Sequence, residues 1–520
     1  LVIFQKDLCN VISIFKNMGL YLKTKELDLE GGKDLFVVVN KADAEKIGLH
    51  DGDMAFLGYR DTEMYVKIVL TDKRVHEGEI GLYEELVDER FAPVNRRVFL
   101  DIPKPTKSLE AIKKKMEGGK LTEEELLSIM DDIGNRKLRE TEVAFFVSTF
   151  FNPGFTEDEI YWMTKAMAKS GEVLDFKNIR DNGDMVVDKH SIGGTAGKGI
   201  TPILVSILAA NDLVCPNTST RAITSPAGTS DMLEVVMPVA IEKKQVMEVV
   251  KKTGACLIWG GSLYLAPADD EIINVERSLR IQEFQKVLVS IVAKKVAMGA
   301  TYVLIDLPYG PNTKIERPDD LEFLEREFKE LFAKLGIQCF TIKRAIKGPD
   351  GNGVGPALEI RETLRVLEQT DDRSMDLENT VLEMASILLE NTGKAQKGKG
   401  QEVAKATLES RAALKKFWEI ATAQGQDKII NSSEVEIGEF TYELKSDRTG
   451  KIKAINTRGI VDIARALGTP TIKKAGLYLQ KNVGDSVEKG DILAILYSET
   501  EDRLKRGKDM VNLEGTWQIS

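Results

Sequence analysis

Two stretches of the chain gather small residues, hydroxyls and cations at the end of an apolar run. The first is VDKHSIGGTAGKG, residues 187–199, and the second is STRAITSPAGTSDMLE, residues 219–234. DMVV precedes the first and TPILVSILAA follows it, which reads as a strand, a Gly-rich turn and a helix start. A turn of that kind aims backbone N–H groups and the positive end of a helix at an anion. Gly193, Gly194 and Gly197 let the backbone come close to a ligand, and Lys189, Ser191 and Lys198 add two cations and a hydroxyl. Ser219, Thr220, Arg221, Thr224, Ser225 and Thr229 repeat the pattern in the second stretch. Together they read as a phosphate site built by two loops. The first loop is neither GxxxxGK[ST] nor GxGxxG, so spacing alone leaves a tight surface turn with satisfied hydroxyls as the other reading.

Composition narrows the class. A chain of 520 residues is too long for one ordinary core, so several domains are expected. Hydrophobic residues make up 42% and charged residues 30%, as in a globular protein. The formal net charge of −10 argues against a general nucleic-acid binder or a partner for acidic membranes. The four cysteines are far apart, and the three histidines form no metal-ligand cluster with them. No metal and no cofactor is therefore expected, and a reduced, cytoplasmic setting is the simplest reading. No apolar run is long enough to span a bilayer. Of the histidines only His190 stands in a motif, where it either takes part in the chemistry or shapes the loop.

The elements that must position these loops follow in chain order. Short alternating runs such as YLKTKELDL, DLFVVVN, MAFLGY, EMYVKIVL and EIGLYEEL read as strands of a small barrel. From about residue 108 to 171 the apolar spacing is helical, with Thr122 as an N-cap. Strand-like and helix-like runs then alternate to about residue 424, the pattern of a mostly parallel sheet. Such sheets bind ligands beyond their strand C-termini, where both loops fall. A β-rich stretch ends the chain. Within it LQKNVGDSVEKGDILAILYSE resembles a lipoyl-type hairpin but lacks a lysine at the tip, so it is read as structural.

Family resemblance sharpens this reading. DKHSIGGTAGK is similar to the phosphate loop of thymidine and pyrimidine-nucleoside phosphorylases, and TRAITSPAGTSDMLE resembles their second loop in its archaeal-type AMP phosphorylase form. The likeness continues through WGGSLYLAPADD, SIVAKKVAMGATYVLIDLPYG and VGPALEIRE, from about Met18 onward. It implies a multidomain α/β fold: an extension at 1–17, an N-terminal β-barrel at 18–102, a helical lobe at 103–180 to which 271–300 returns, an α/β phosphate-binding domain at 181–430, and a C-terminal α/β domain at 431–520. A homodimer or higher homo-oligomer joined through the helical lobe is implied, with a cleft between lobes.

The activity implied is phosphorolysis of a nucleoside 5'-monophosphate, AMP plus inorganic phosphate giving adenine and ribose 1,5-bisphosphate, which in the family feeds an archaeal-type RuBisCO. By the same resemblance Lys189, Ser191, Ser219 and Thr229 match phosphate-binding positions. Gly194, Thr220, Arg221, Ala222, Ile223, Thr224, Ser225, Thr229, Ser290 and Lys314 match nucleotide-contacting positions, and Lys189 and His190 stand with the catalytic group. Ser290 and Lys294 also match a pyrimidine-contacting pair, with Arg277 near a third such position.

The family's proton-donating aspartate lies eight residues before the serine matched by Ser290, and here that position is Gln282. Glutamine offers a hydrogen bond but no acidic proton. Glu283 and Asp270 are nearby carboxylates, although helical phase would turn Glu283 away. Lys189 follows the thymidine-phosphorylase pattern, and Lys198 with Ile200 breaks the usual order at the loop's end. Two other activities stay open: a pyrimidine-nucleoside phosphorylase, and a phosphoribosyltransferase of the anthranilate type.

Overall fold

The computed structural model describes residues 19–30, 35–60, 62–87, 91–103, 106–180, 185–193, 195–197, 199–222, 225–279 and 281–520. The extension at 1–17 and the sequence-predicted site residues Gly194, Ile223 and Thr224 lie outside them, as does Lys198. The chain divides into two compact units. One holds the residues up to Ser170 together with Pro267–Glu283; the other holds Gly171–Ala266 and Phe284–Ser520.

The first unit begins with the barrel. Its strands are β1 (Leu20–Leu27), β2 (Phe36–Asn40), β3 (Met54–Tyr59), β4 (Thr62–Thr71), β5 (Glu79–Tyr83) and β6 (Arg97–Asp101). They close in the order β1-β5-β2-β4-β3-β6. Alternation drives the closure: Leu22, Val37, Val39, Leu57, Val66, Ile68, Ile80, Leu82, Val98 and Leu100 share one core. Sequence reading found five of the strands and missed β6, whose run RVFLD carries charges at both ends. Helices Lys107–Met116, Glu123–Gly134, Glu140–Ser148 and Glu157–Lys169 follow, joined by Pro267–Leu279. Thr122 caps its helix as expected, in a capping box where its Oγ accepts the Glu125 N–H and Glu125 accepts the Thr122 N–H. Glu159 closes a second box with Thr156 and also accepts from the buried Lys115 ammonium at 2.8 Å and the Leu121 N–H at 2.8 Å.

The helical return is shorter than 271–300. The helix Phe284–Ala297 groups with the α/β unit because Lys295, fully buried, reaches Asp188 at 2.6 Å. Residues 171–180, expected with the helices, also group there, where the Leu174 N–H donates to the Ala297 carbonyl.

In the second unit, β7 (Val187–Ser191), β8 (Cys215–Ser219), β9 (Ala255–Trp259), β10 (Tyr302–Tyr309) and β11 (Gln338–Ala345) are all parallel. They form the sheets β11-β10-β7 and β8-β9, bridged at Val186–Val214. β8, β9 and β10 are buried along most of their length, as parallel strands between helices must be, whereas the edge strand β11 exposes Gln338, Lys343 and Ala345. The helices Ile200–Ala210, Pro356–Glu368, Met375–Asn391 and Ala412–Ala423 supply much of the shared core. The C-terminal part carries two antiparallel sheets, with the helix Thr457–Leu467 over a core that includes Ile460, Ile463, Leu477 and Leu496.

Glu159→Ala should strip the buried Lys115 of its partner and remove a helix cap. We expect a loss of about 3–5 kcal/mol in the first unit, measured as a drop in the denaturant midpoint of its unfolding transition.

Candidate functional site

Both loops leave the C-terminal ends of neighbouring parallel strands. The first strand is displaced from its expected position. It runs Val187–Ser191, because Val187 to Ser191 pair in register with Tyr302 to Asp306 of β10. Lys189, His190 and Ser191 therefore stand on the strand, and the turn proper begins at Ile192. Strand alternation divides them, with Asp188 and His190 to one side and Lys189 and Ser191 to the other.

Under the strand lies a charge network that sequence reading did not single out. The buried Asp188 carboxylate accepts from Lys295 Nζ at 2.6 Å, Asn217 Nδ2 at 2.7 Å and the Lys189 N–H at 2.7 Å. On the other side Arg344 binds Asp306 with two bonds of 2.8 and 2.9 Å and reaches Asp350 at 2.6 Å. The buried Lys189 ammonium is 3.9 Å from Asp306. Burial alone would push the Asp306 carboxyl up, but the Arg344 hydrogen bonds and the Lys189 and Arg344 charges, with help from the Ser191 hydroxyl, hold it below the usual carboxylate range. The signal in the sequence was an acid inside TYVLIDLPYG, a charge where a buried strand should have none.

His190 is driven well below its ordinary pKa, first by desolvation and then by the charges of Lys295, Lys189, Lys294 and Lys314. Its imidazole is neutral near pH 7. Lys294 and Ser290, one turn apart on Phe284–Ala297, belong to the same unit as β7. The exposed Lys314 sits in the loop after β10, which Thr313 braces through its hydroxyl to the Gly310 and Ile315 carbonyls.

The first loop is held from behind. The Asp350 N–H donates to the Ala196 carbonyl at 2.9 Å. A Cβ on Gly197 would lie 2.8 Å from the Gly351 nitrogen, and its φ is +77°, so this position needs glycine. Glu362 lies beneath and accepts the Gly353 N–H at 2.8 Å; burial pushes its carboxyl up to about 7. At the loop itself the Ser191 hydroxyl accepts the Gly193 N–H at 3.2 Å.

The second loop is held by Asp231, whose Oδ2 accepts the Ala222 N–H at 2.6 Å and the Gly228 N–H at 2.8 Å. Gly228 passes so close to Thr220 that a Cβ would stand 2.2 Å from its carbonyl oxygen. Ser219 Oγ meets Ser230 Oγ at 2.8 Å, and Ser225 Oγ donates to the Ala227 carbonyl. Thr220 is exposed, and Thr229 opens the short helix Thr229–Leu233. Arg221 binds Glu234 at 2.5 Å and stacks 4.3 Å from the Trp259 ring. Lys189, His190, Ser191, Ser219, Thr220, Arg221, Ala222, Ser225, Thr229, Ser290 and Lys314 thus share one unit.

Gln282 belongs to the other unit, with Asp270 and Arg277. It is exposed and non-helical, as is the backbone of Glu283, since the next helix begins only at Phe284. The expectation that helical phase turns Glu283 away is thereby overturned. Among the described residues no cluster of His, Cys, Asp and Glu could hold a metal, and no described helix is long and apolar enough to cross a membrane.

Comparison with known proteins places this arrangement. Residues 109–171 match the family model described as the glycosyl transferase family helical bundle domain, and residues 183–313 match that family's a/b domain. Residues 451–517 match the pyrimidine nucleoside phosphorylase C-terminal domain. An AMP phosphorylase of Methanosarcina barkeri is 36% identical over 486 residues, covering 94% of this chain and 94% of its own length. One from Pyrococcus furiosus is 39% identical over 485 residues, covering 93% and 95%. The chain belongs to the AMP phosphorylase family. An anthranilate phosphoribosyltransferase from Thermus thermophilus superposes with a TM-score of 0.51 at 17% identity, over 60% of this chain and 99% of its own, a likeness of fold alone. The AMP phosphorylase family match runs through both loops and the charge network beneath them.

Asp306→Asn should leave Arg344 and Lys189 short of a buried partner, a loss of about 3–5 kcal/mol at neutral pH. Because the Asp306 carboxyl is depressed in the fold, its contribution is fully present above the unfolded value of about 4 and is lost as pH falls through the lower folded one. Denaturant melts against pH should show a constant gap between wild type and variant above about pH 4 that narrows below it.

Proposed function

We propose that this chain catalyses phosphorolysis of AMP, giving adenine and ribose 1,5-bisphosphate. The observation that carries the reading is the family match over 94% of the chain, running through two loops that leave adjacent parallel strands. Phosphate attacks the anomeric carbon of the ribose as its bond to the base nitrogen breaks. A carbon–oxygen bond forms, and the base takes up a proton or leaves as a hydrogen-bonded anion.

Each group has a place in that reaction. Lys189, Ser191, Ser219 and Thr229 hold the inorganic phosphate, with Lys189 supplying a buried positive charge 3.9 Å from Asp306. Gly194, Thr220 through Ser225, Thr229, Ser290 and Lys314 hold the nucleotide, with cationic groups for its 5'-phosphate. The neutral His190 offers a hydrogen bond without adding a further cation. Gln282 stands where the family has its proton donor, so base departure is assisted by hydrogen bonding or by Glu283 or Asp270. The division of labour follows the domain reading, with the α/β part binding phosphate. A homodimer through the helical lobe and a cytoplasmic location complete the proposal. A pyrimidine-nucleoside phosphorylase is the second reading, favoured by Lys189 and by Lys294 one turn from Ser290; comparing AMP with uridine and thymidine in a phosphate-dependent base-release assay separates the two.

Lys189→Ala should lose more activity than Lys189→Arg, on the order of tenfold or more for a lost charge-assisted contact of about 1.5–3 kcal/mol. Equal rates for the two variants would place Lys189 outside the phosphate pocket. Gln282→Asp should raise kcat on AMP, most at mildly acidic pH, by up to the ~10²–10⁴-fold that a positioned acid contributes. An unchanged rate, with loss of activity in Glu283→Gln, would move the acid one residue along.

A further inference from the structure

The second loop is braced by a side chain from outside the α/β sheet. Lys473 lies after the helix Thr457–Leu467, within the C-terminal part of the chain. Its Nζ is 3.0 Å from Glu234 Oε2, 3.4 Å from Asp231 Oδ1 and 3.3 Å from the Asp231 carbonyl. Those two acids set the loop. Asp231 accepts the N–H groups of Ala222 and Gly228, which bracket the loop's tip. Glu234 holds Arg221 through its other oxygen, at 2.5 and 3.1 Å. A second contact comes from the same part of the chain, as Arg465 Nη2 donates to the Ser225 carbonyl at 3.4 Å. Lys473 is itself anchored, because its carbonyl accepts the Ala357 N–H at the start of the helix Pro356–Glu368.

We propose that Lys473 is a positioning residue for nucleotide binding, fixing the second loop and the direction of Arg221 through Asp231 and Glu234. Two acids and one arginine would leave the loop with an uncompensated, mostly buried carboxylate at Asp231. Lys473 balances that charge. By taking one oxygen of Glu234 it also confines Arg221 to the other oxygen and to the face of Trp259. Without it Glu234 is free to draw Arg221 onto both oxygens and away from an incoming phosphate. The C-terminal part of the chain thereby acts on substrate affinity without touching substrate.

This inference rests on the phosphorolysis reading, and the test separates the two. Base release is measured on full-length wild type, Lys473→Met and Lys473→Arg, varying AMP and phosphate independently. The Met variant should raise KM for AMP by about tenfold, as expected for residues coupled in one ion network, with kcat changed less than threefold. The Arg variant should restore most of the loss. A lysine with a merely structural role would lower the melting temperature or the active fraction and leave KM where it was. Lys473→Gln is read in the same way if the Met variant is insoluble. In the double variant with Glu234→Gln, the effects on KM should fall short of the product of the single ones. An unmoved KM for AMP in an active Met variant, or a full product in the double variant, overturns the inference. A wild type that releases no base from AMP overturns the phosphorolysis reading instead.

Discussion

The buried pairing of Asp188 with Lys295 is the constraint on which the rest of the site depends. Both side chains are out of water, and each would be costly alone. Their contact ties the helix Phe284–Ala297, with Ser290 and Lys294, to the strand that carries Lys189 and His190. Beside that pair His190 stays neutral, first because it is buried and then because the charges of Lys295, Lys189, Lys294 and Lys314 add to the effect. One carboxylate therefore fixes the geometry of a strand and the docking of a helix. Asp306 and Arg344 do comparable work on the opposite side of the strand, where Arg344 links onward to Asp350 and so to the back of the first loop.

The loops were legible because their composition is extreme. Glycines and hydroxyls packed between an apolar run and a helix suit an anion far better than they suit a core, and DKHSIGGTAGK and TRAITSPAGTSDMLE carried the family as well. Barrel, helices and parallel sheet were legible from periodicity, a signal equally local. What escaped was register and long-range pairing. Nothing local says that the strand runs on through Ser191; the partner strand β10 decides it. Lys295 stands next to Lys294 in sequence, yet only the fold shows that one is buried against Asp188. Asp231 read as one more polar residue after a loop, although it holds both ends of that loop. The non-helical backbone at Gln282 and Glu283 was hidden because the apolar pattern continues on both sides of it.

Both loops are closely packed at a glycine, and the second adds ion pairs. The first is backed by main chain, with Gly351 against Gly197 and the Asp350 N–H on the Ala196 carbonyl. Close packing of that kind resists displacement but admits no larger residue. The second is held by ion pairs and by hydrogen bonds to Asp231, which tolerate small movements and respond to charge.

The parallel pairing of β7 with β10 also bears on how such a site can change over generations. Alternate residues of β7 serve separate networks, Asp188 and His190 on one side and Lys189 and Ser191 on the other. An insertion or deletion within Val187–Ser191 would exchange the two sets at a stroke, presenting acid where base is needed. Length variation beyond the strand, from Ile192 onward, carries no such reversal. Descendants of this chain can thus change the length of the turn without that reversal, while five consecutive positions behind it stay locked to their count.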